Sequence, residues 1–97
     1  MIPYAFHPDA DAEFEEAALF YESRMIGLGK SFAAEVERTI ALVRDFPEAG
    51  SSVGRKLRRV LVARFPYSVV YRHEADSIVV VAVAHQRRRP GYWRRRK

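Results

Sequence analysis

His85, Arg87, Arg88, Arg89, Tyr92 and Trp93 follow one another within nine positions near the end of the chain, and Arg55, Lys56, Arg58, Arg59, Arg64 and Arg72 precede them in two shorter groups. Acid/base cleavage of RNA needs a group to take the 2′-hydroxyl proton, another to protonate the leaving oxygen, and cations around the phosphate. Histidine, tyrosine and arginine can supply all three. His85, Arg87 and Tyr92 are the catalytic candidates under that chemistry. The plainer alternative is a solvated arginine face, with His85 ending a strand and Tyr92-Trp93 folded back onto apolar surface.

Other chemistries find less support. His7, His73 and His85 are scattered, no helical His-x-x-x-His or Glu-x-x-His spacing occurs, and cysteine is absent, so neither a metal nor another cofactor is expected. The lack of cysteine also excludes a disulfide scaffold and a thiolate nucleophile, and it fits a reducing compartment. Gly27-Leu28-Gly29 joins helix to helix and is a turn, since a phosphate loop leads from a strand into a helix. Glu15-Glu16 and Glu35-x-Glu37 are carboxylate pairs that the helical pattern puts on exposed faces.

The elements that must position these residues read as follows. An apolar, aromatic stretch over 2–6 reads as a short strand ending at His7, and Pro8 after it fits a helix start. A helix is expected over about 9–25, with Asp9, Asp11 and Glu13 favouring its positive end and Phe14, Ala17, Ala18, Tyr21 and Met25 forming an apolar stripe. After the glycine turn, Phe32, Val36, Ile40 and Val43 repeat the spacing from about Ser31 to Pro47, with Glu35 and Arg38 placed to pair. A short turn makes the two helices an antiparallel hairpin. The stretch 49–54 is loop in composition, and strands follow over 57–63, 67–73 and 77–85, joined antiparallel by short turns. The run 78–84 has no polar alternation, so this strand is covered on both faces and lies inside the sheet.

Ninety-seven residues, 48% hydrophobic and 30% charged, make one globular α+β domain with a basic segment at 85–97. No stretch has the length of a membrane span or the form of a signal peptide, so a cytoplasmic protein is expected. The net charge of +5 conceals a division. Residues 1–50 carry four basic and ten acidic side chains, a balance of −6, while residues 51–97 carry thirteen basic and two acidic ones, a balance of +11. Such a split points to one basic face, expected to meet an acidic protein partner or target.

The short first strand, the helices ending EAALFYESRMIGLG and KSFAAEVERTIALVRDFPEAG, the strand pair RRVLVARFPYSVVYR and the closing AVAHQRRRPGYW resemble, in order and spacing, the RelE/ParE superfamily of type II toxins. The resemblance covers nearly the whole chain. It implies a helical hairpin packed on a curved antiparallel sheet, and a cognate antitoxin with a ribbon-helix-helix or similar DNA-binding domain. The antitoxin's disordered tail would fold over this surface. RelE-like members cut mRNA on the ribosome with one arginine before the Val-Tyr core of the middle strand and another after the last strand. Arg87 matches the second position, but Ser68 occupies the first. The late catalytic tyrosine falls near Tyr92-Trp93, closer to Trp93, and an indole cannot exchange a proton as a phenol can. The Phe-Pro-Tyr turn and the Arg-x-Pro-Gly-Tyr-Trp ending look more like the ParE side, whose better-known members poison DNA gyrase. The resemblance therefore implies a toxin that binds a protein target such as gyrase, with a RelE-like ribosome-dependent nuclease or an inactive module that only binds antitoxin as alternatives. The expected contacts to antitoxin or target are Arg58, Arg59, Arg64, Arg72, Arg87, Arg88, Arg89, Tyr92 and Trp93.

Overall fold

The computed structural model describes residues 1–97. Its elements are β1 (Tyr4–Phe6), α1 (Pro8–Arg24), α2 (Leu28–Asp45), β2 (Ser51–Ser52), β3 (Leu57–Leu61), β4 (Tyr67–Glu74) and β5 (Ser77–His85). One five-stranded sheet has the order β1-β5-β4-β3-β2. The helical hairpin packs on one face of this sheet.

Local chemistry explains the helix ends. Pro8 occupies the first turn of α1, where its missing N–H costs nothing, and the His7 side chain accepts a hydrogen bond from the Asp9 N–H at 3.0 Å. Gly27, at φ 88°, turns the chain out of α1. Its neighbour Gly29 does something else. Helix α2 begins at Leu28, three residues earlier than the apolar spacing indicates, so Gly29 lies inside its first turn. There it is buried against α1, and a Cβ would stand 2.4 Å from the Ala18 carbonyl oxygen. The Glu22 carboxylate, reaching from α1, accepts from the N–H groups of Gly27 and Gly29 at 2.9 and 3.0 Å and so caps α2. Met25, expected on the buried stripe, is exposed because α1 ends one residue before it and the backbone there is extended.

Two features of the sheet differ from the sequence reading. The sheet is mixed: β1 pairs parallel to β5, while β2 to β5 pair antiparallel. The hairpin carries the chain across one face, so β5 returns beside β1 in the same direction. The segment read as loop also contains β2, which pairs Ser51 and Ser52 with Arg59 and Arg58.

As expected, β5 is interior and covered on both sides. Within the run, a bulge shifts the alternation of faces. Tyr71 pairs with Val80 and Val70 with Ala82, which leaves Val81 as an extra residue. Val80 and Val83 therefore face the helices, in a core with Phe32, Val36, Ile40, Val43, Val69 and Tyr71. Val81, Ala82 and Ala84 face the other way, packing with Val70 and Trp93. The Tyr71 hydroxyl ties the first core to the loop after α2, donating to the Pro47 carbonyl at 2.6 Å and accepting from the Gly50 N–H at 3.0 Å.

The close approach at Gly29 gives a test with a definite sign. Alanine is the better helix former by about 1 kcal/mol, whereas overpacking costs about 1–3 kcal/mol. With backbone as the obstacle, Gly29→Ala is expected to destabilise the fold in urea denaturation; a gain in stability would show that the helices part freely.

Candidate functional site

The sheet face opposite the hairpin carries a groove of about 310 Å³. Arg59 and Leu61 of β3 form one wall, Ser68, Val70 and Ala84 the floor, and His85 with Arg88, Arg89, Pro90, Tyr92 and Trp93 the other wall. No aspartate or glutamate lines it. Arginine guanidiniums beside apolar floor residues make a surface for anions: Arg88 is paired with Glu13, while Arg59 and Arg89 have no carboxylate partner.

The residues singled out by sequence divide into those in the groove and those elsewhere. Arg59, His85, Arg88, Arg89, Tyr92 and Trp93 are brought together. Arg58 points to the opposite face, where it donates to the Gly50 carbonyl at 2.8 Å and stands 3.6 Å from Glu48. Arg64, in the β3–β4 turn, stands 3.6 Å from Glu35, and Arg72 is bound by Glu74 at 2.6 Å. Arg87 lies exposed just past β5, outside the groove lining, and its N–H donates to His85 Nδ1 at 3.0 Å. That bond makes Nε2 the proton-bearing nitrogen of a neutral His85, whose ring meets Tyr67 edge-on at 5.0 Å.

Trp93 and Tyr92 are held by the fold. Only 5% of Trp93 is exposed, because its indole closes the second core over Val70, Val81 and Ala82. The Tyr92 hydroxyl donates to Glu13 Oε2 at 2.7 Å, and its ring lies beneath the Arg88 guanidinium, 3.8 Å from the centroid. Burial, then the bond and charge of Glu13, raise the Tyr92 phenol well above its ordinary value. This phenol keeps its proton.

Glu13 is the residue that sequence reasoning passed over, counting it only among the acids that favour the positive end of α1. Its carboxylate accepts from the Val83 N–H at 3.0 Å, from Arg88 at 3.1 Å, from Tyr92, and from both terminal nitrogens of Arg96 at 2.9 Å. Arg96 in turn donates to the Val81 carbonyl at 3.1 Å, and its bond to Glu13 raises its own pKa. The available signal was position: Glu13 stands between Ala10 and Ala17 at helical spacing, a carboxylate on the buried stripe. Glu35 is a second such case and a correction. Read as solvated, it is 7% exposed, bonded by Arg38 at 2.6 Å and approached by Arg64. No three histidines or carboxylates gather as a metal site, and no helix is long and apolar enough to cross a membrane.

A helical hairpin on one face of a small sheet is the architecture that the sequence resemblance implies. Residues 4–90 match the family described as ParE toxin of type II toxin-antitoxin system, parDE, and the chain belongs to that family. A solved chain described as the chromosomal ParDE TA system from P. aeruginosa has the same fold, with a TM-score of 0.73 at 16% identity over 88% of this chain and 96% of that one. A comparison with curated proteins found no match.

Two outcomes follow from the Glu13 cluster. Glu13→Gln leaves Arg96 and the β5 edge without their counter-charge, and breaking such an enclosed pair costs about 3 kcal/mol. A fall in Tm of more than roughly 10 °C is expected for a domain of this size, and an unchanged Tm would contradict the assignment. The folded protein also holds the Tyr92 proton more strongly than the unfolded chain. Stability is therefore full below about pH 10 and lost as pH rises towards the folded value. Tyr21 and Tyr67, raised by burial, act in the same direction, so Tyr92→Phe should reduce the alkaline loss in Tm without abolishing it.

Proposed function

We propose that this ParE-family toxin arrests growth by binding a protein target, DNA gyrase, without cutting RNA, and that a cognate antitoxin with its own DNA-binding domain holds it inactive. The site of action on this reading is the cytoplasm, where gyrase works. The observation that carries the proposal is the state of the groove's proton donors and cations. Ser68, only 3% exposed, forms the floor where a RelE-like enzyme would present an arginine. The Tyr92 hydroxyl is bound to Glu13, and Trp93 is packed in the core. Proton transfer at a phosphodiester needs an acid and a base within hydrogen-bond reach of the reacting oxygens. Here His85 is the one histidine in the groove lining, and its ring stands against Tyr67. Binding needs no such pair.

His85 beside Arg59, Arg88 and Arg89 keeps the nuclease reading worth testing directly. Purified protein in a gyrase supercoiling assay is expected to inhibit supercoiling and to accumulate cleaved DNA, and a neighbouring open reading frame co-expressed with it should relieve growth arrest. Activity lost without gyrase inhibition, together with mRNA cleavage on a programmed ribosome that His85→Ala abolishes, would overturn the proposal. No arrest on induction of the toxin alone would leave an inactive module.

A further inference from the structure

Arginines without a carboxylate partner occur on both sides of the molecule, but those of the hairpin side lie over aromatic rings, Arg24 over Phe20 and Arg44 over Tyr4, while four others gather on the sheet face and the C-terminal segment. Arg59 and Arg89 in the groove, and Arg94 and Arg95 in the adjoining depression that shares Arg89 and Tyr92 with it, have no carboxylate within ion-pair distance. All four are exposed, and neither depression has an acidic residue in its lining. The cations make one track running from β3 across the sheet face to the C-terminal segment. The large exposed apolar side chains are Met1, Tyr4, Leu19, Phe20, Met25, Ile26, Leu42 and Phe46 on β1 and the hairpin side, and only Leu61 stands beside the track.

Protein interfaces draw their energy from a desolvated apolar or aromatic centre, with charges at the rim. The hairpin side has those anchors and the track does not. A polyanion held through its backbone needs the reverse: free guanidiniums, no competing carboxylates and little apolar surface. Single-stranded nucleic acid would also need aromatic faces for its bases. Trp93 is buried, and the Tyr92 ring has Arg88 and Arg96 guanidiniums 3.8 and 5.0 Å from its centroid. Neither ring offers a free platform.

We infer that the arginine track binds the phosphate backbone of double-stranded nucleic acid, with the hairpin side left open for protein partners. This stands apart from the choice of protein target. It also departs from the expectation of an acidic protein on the basic face, because the structure places the exposed apolar anchors on the other side.

The test is fluorescence anisotropy of the purified full chain with a labelled duplex of about 20 base pairs, of either DNA or RNA, between about 50 and 200 mM salt. Arg59→Glu with Arg89→Glu is compared with Arg24→Glu with Lys30→Glu, which lowers the net charge equally but on the helices. The track pair should weaken binding more than about tenfold and flatten the plot of log affinity against log salt by about two. The helix pair should leave that slope unchanged. Arg89→Glu with Arg95→Glu serves as a second track variant should the first fail to fold. Binding of a DNA or an RNA duplex upholds the inference, and their ratio says which form is preferred. Equal losses in the track and helix pairs, no binding of either duplex, or tighter binding of single strands or of poly-glutamate would overturn it.

Discussion

Strand β5 has β4 along its whole length on one side, but on the other β1 stops at Phe6, opposite Val80, because Pro8 starts a helix. The backbone groups beyond Val80 must still bond to something, since a buried donor or acceptor left alone costs about 1–3 kcal/mol. Glu13 and Arg96 take the place of the missing strand. The carboxylate accepts from the Val83 N–H and the guanidinium donates to the Val81 carbonyl, while the two side chains bond to each other. Three distant pieces of chain are thereby fixed together: the first turns of α1, the bulged half of β5 and the C-terminal segment.

The position of the C-terminal segment determines the groove. With Arg96 bound at the β5 edge, Trp93 closes the second core and Tyr92 stands against Glu13, so the chain from Gln86 to Trp93 becomes a wall opposite β3. The same cluster sorts the arginines. Arg88 and Arg96 share Glu13, with Asp9 also 3.6 Å from Arg96, and Arg58, Arg64 and Arg72 pair with other carboxylates. Within the groove and the depression beside it, Arg59, Arg89, Arg94 and Arg95 remain unpaired. Four unpaired cations are thus concentrated on one face, with no carboxylate in the lining of either depression, and the phenol nearest the groove is removed from proton chemistry. Both effects support a role in binding.

Local rules made much of this legible. Pro8, the glycine turn and the apolar spacing located the hairpin, and short turns located β3 to β5 with their antiparallel pairing. Non-local partners decided the rest. A three-residue strand carries no signal for the direction or identity of its neighbour, and the two residues of β2 are strand only because β3 lies beside them. Gly29 reads as a flexible turn until α1 is known to pass within contact of it. Glu13 bonds groups 70 to 83 residues away, and its position on the buried stripe of α1 was the sole local mark of that role. The basic segment was visible as a charge run, but which arginines are neutralised depends on carboxylates brought near only by folding.

Amide hydrogen exchange at Val83 tests the strand-like role of Glu13 and Arg96 most directly. If the carboxylate holds this N–H as a ladder partner would, Val83 should be protected to within about tenfold of its strand neighbours Ala82 and Ala84. Exchange at Val83 as fast as at the exposed residue Arg89 would contradict the account.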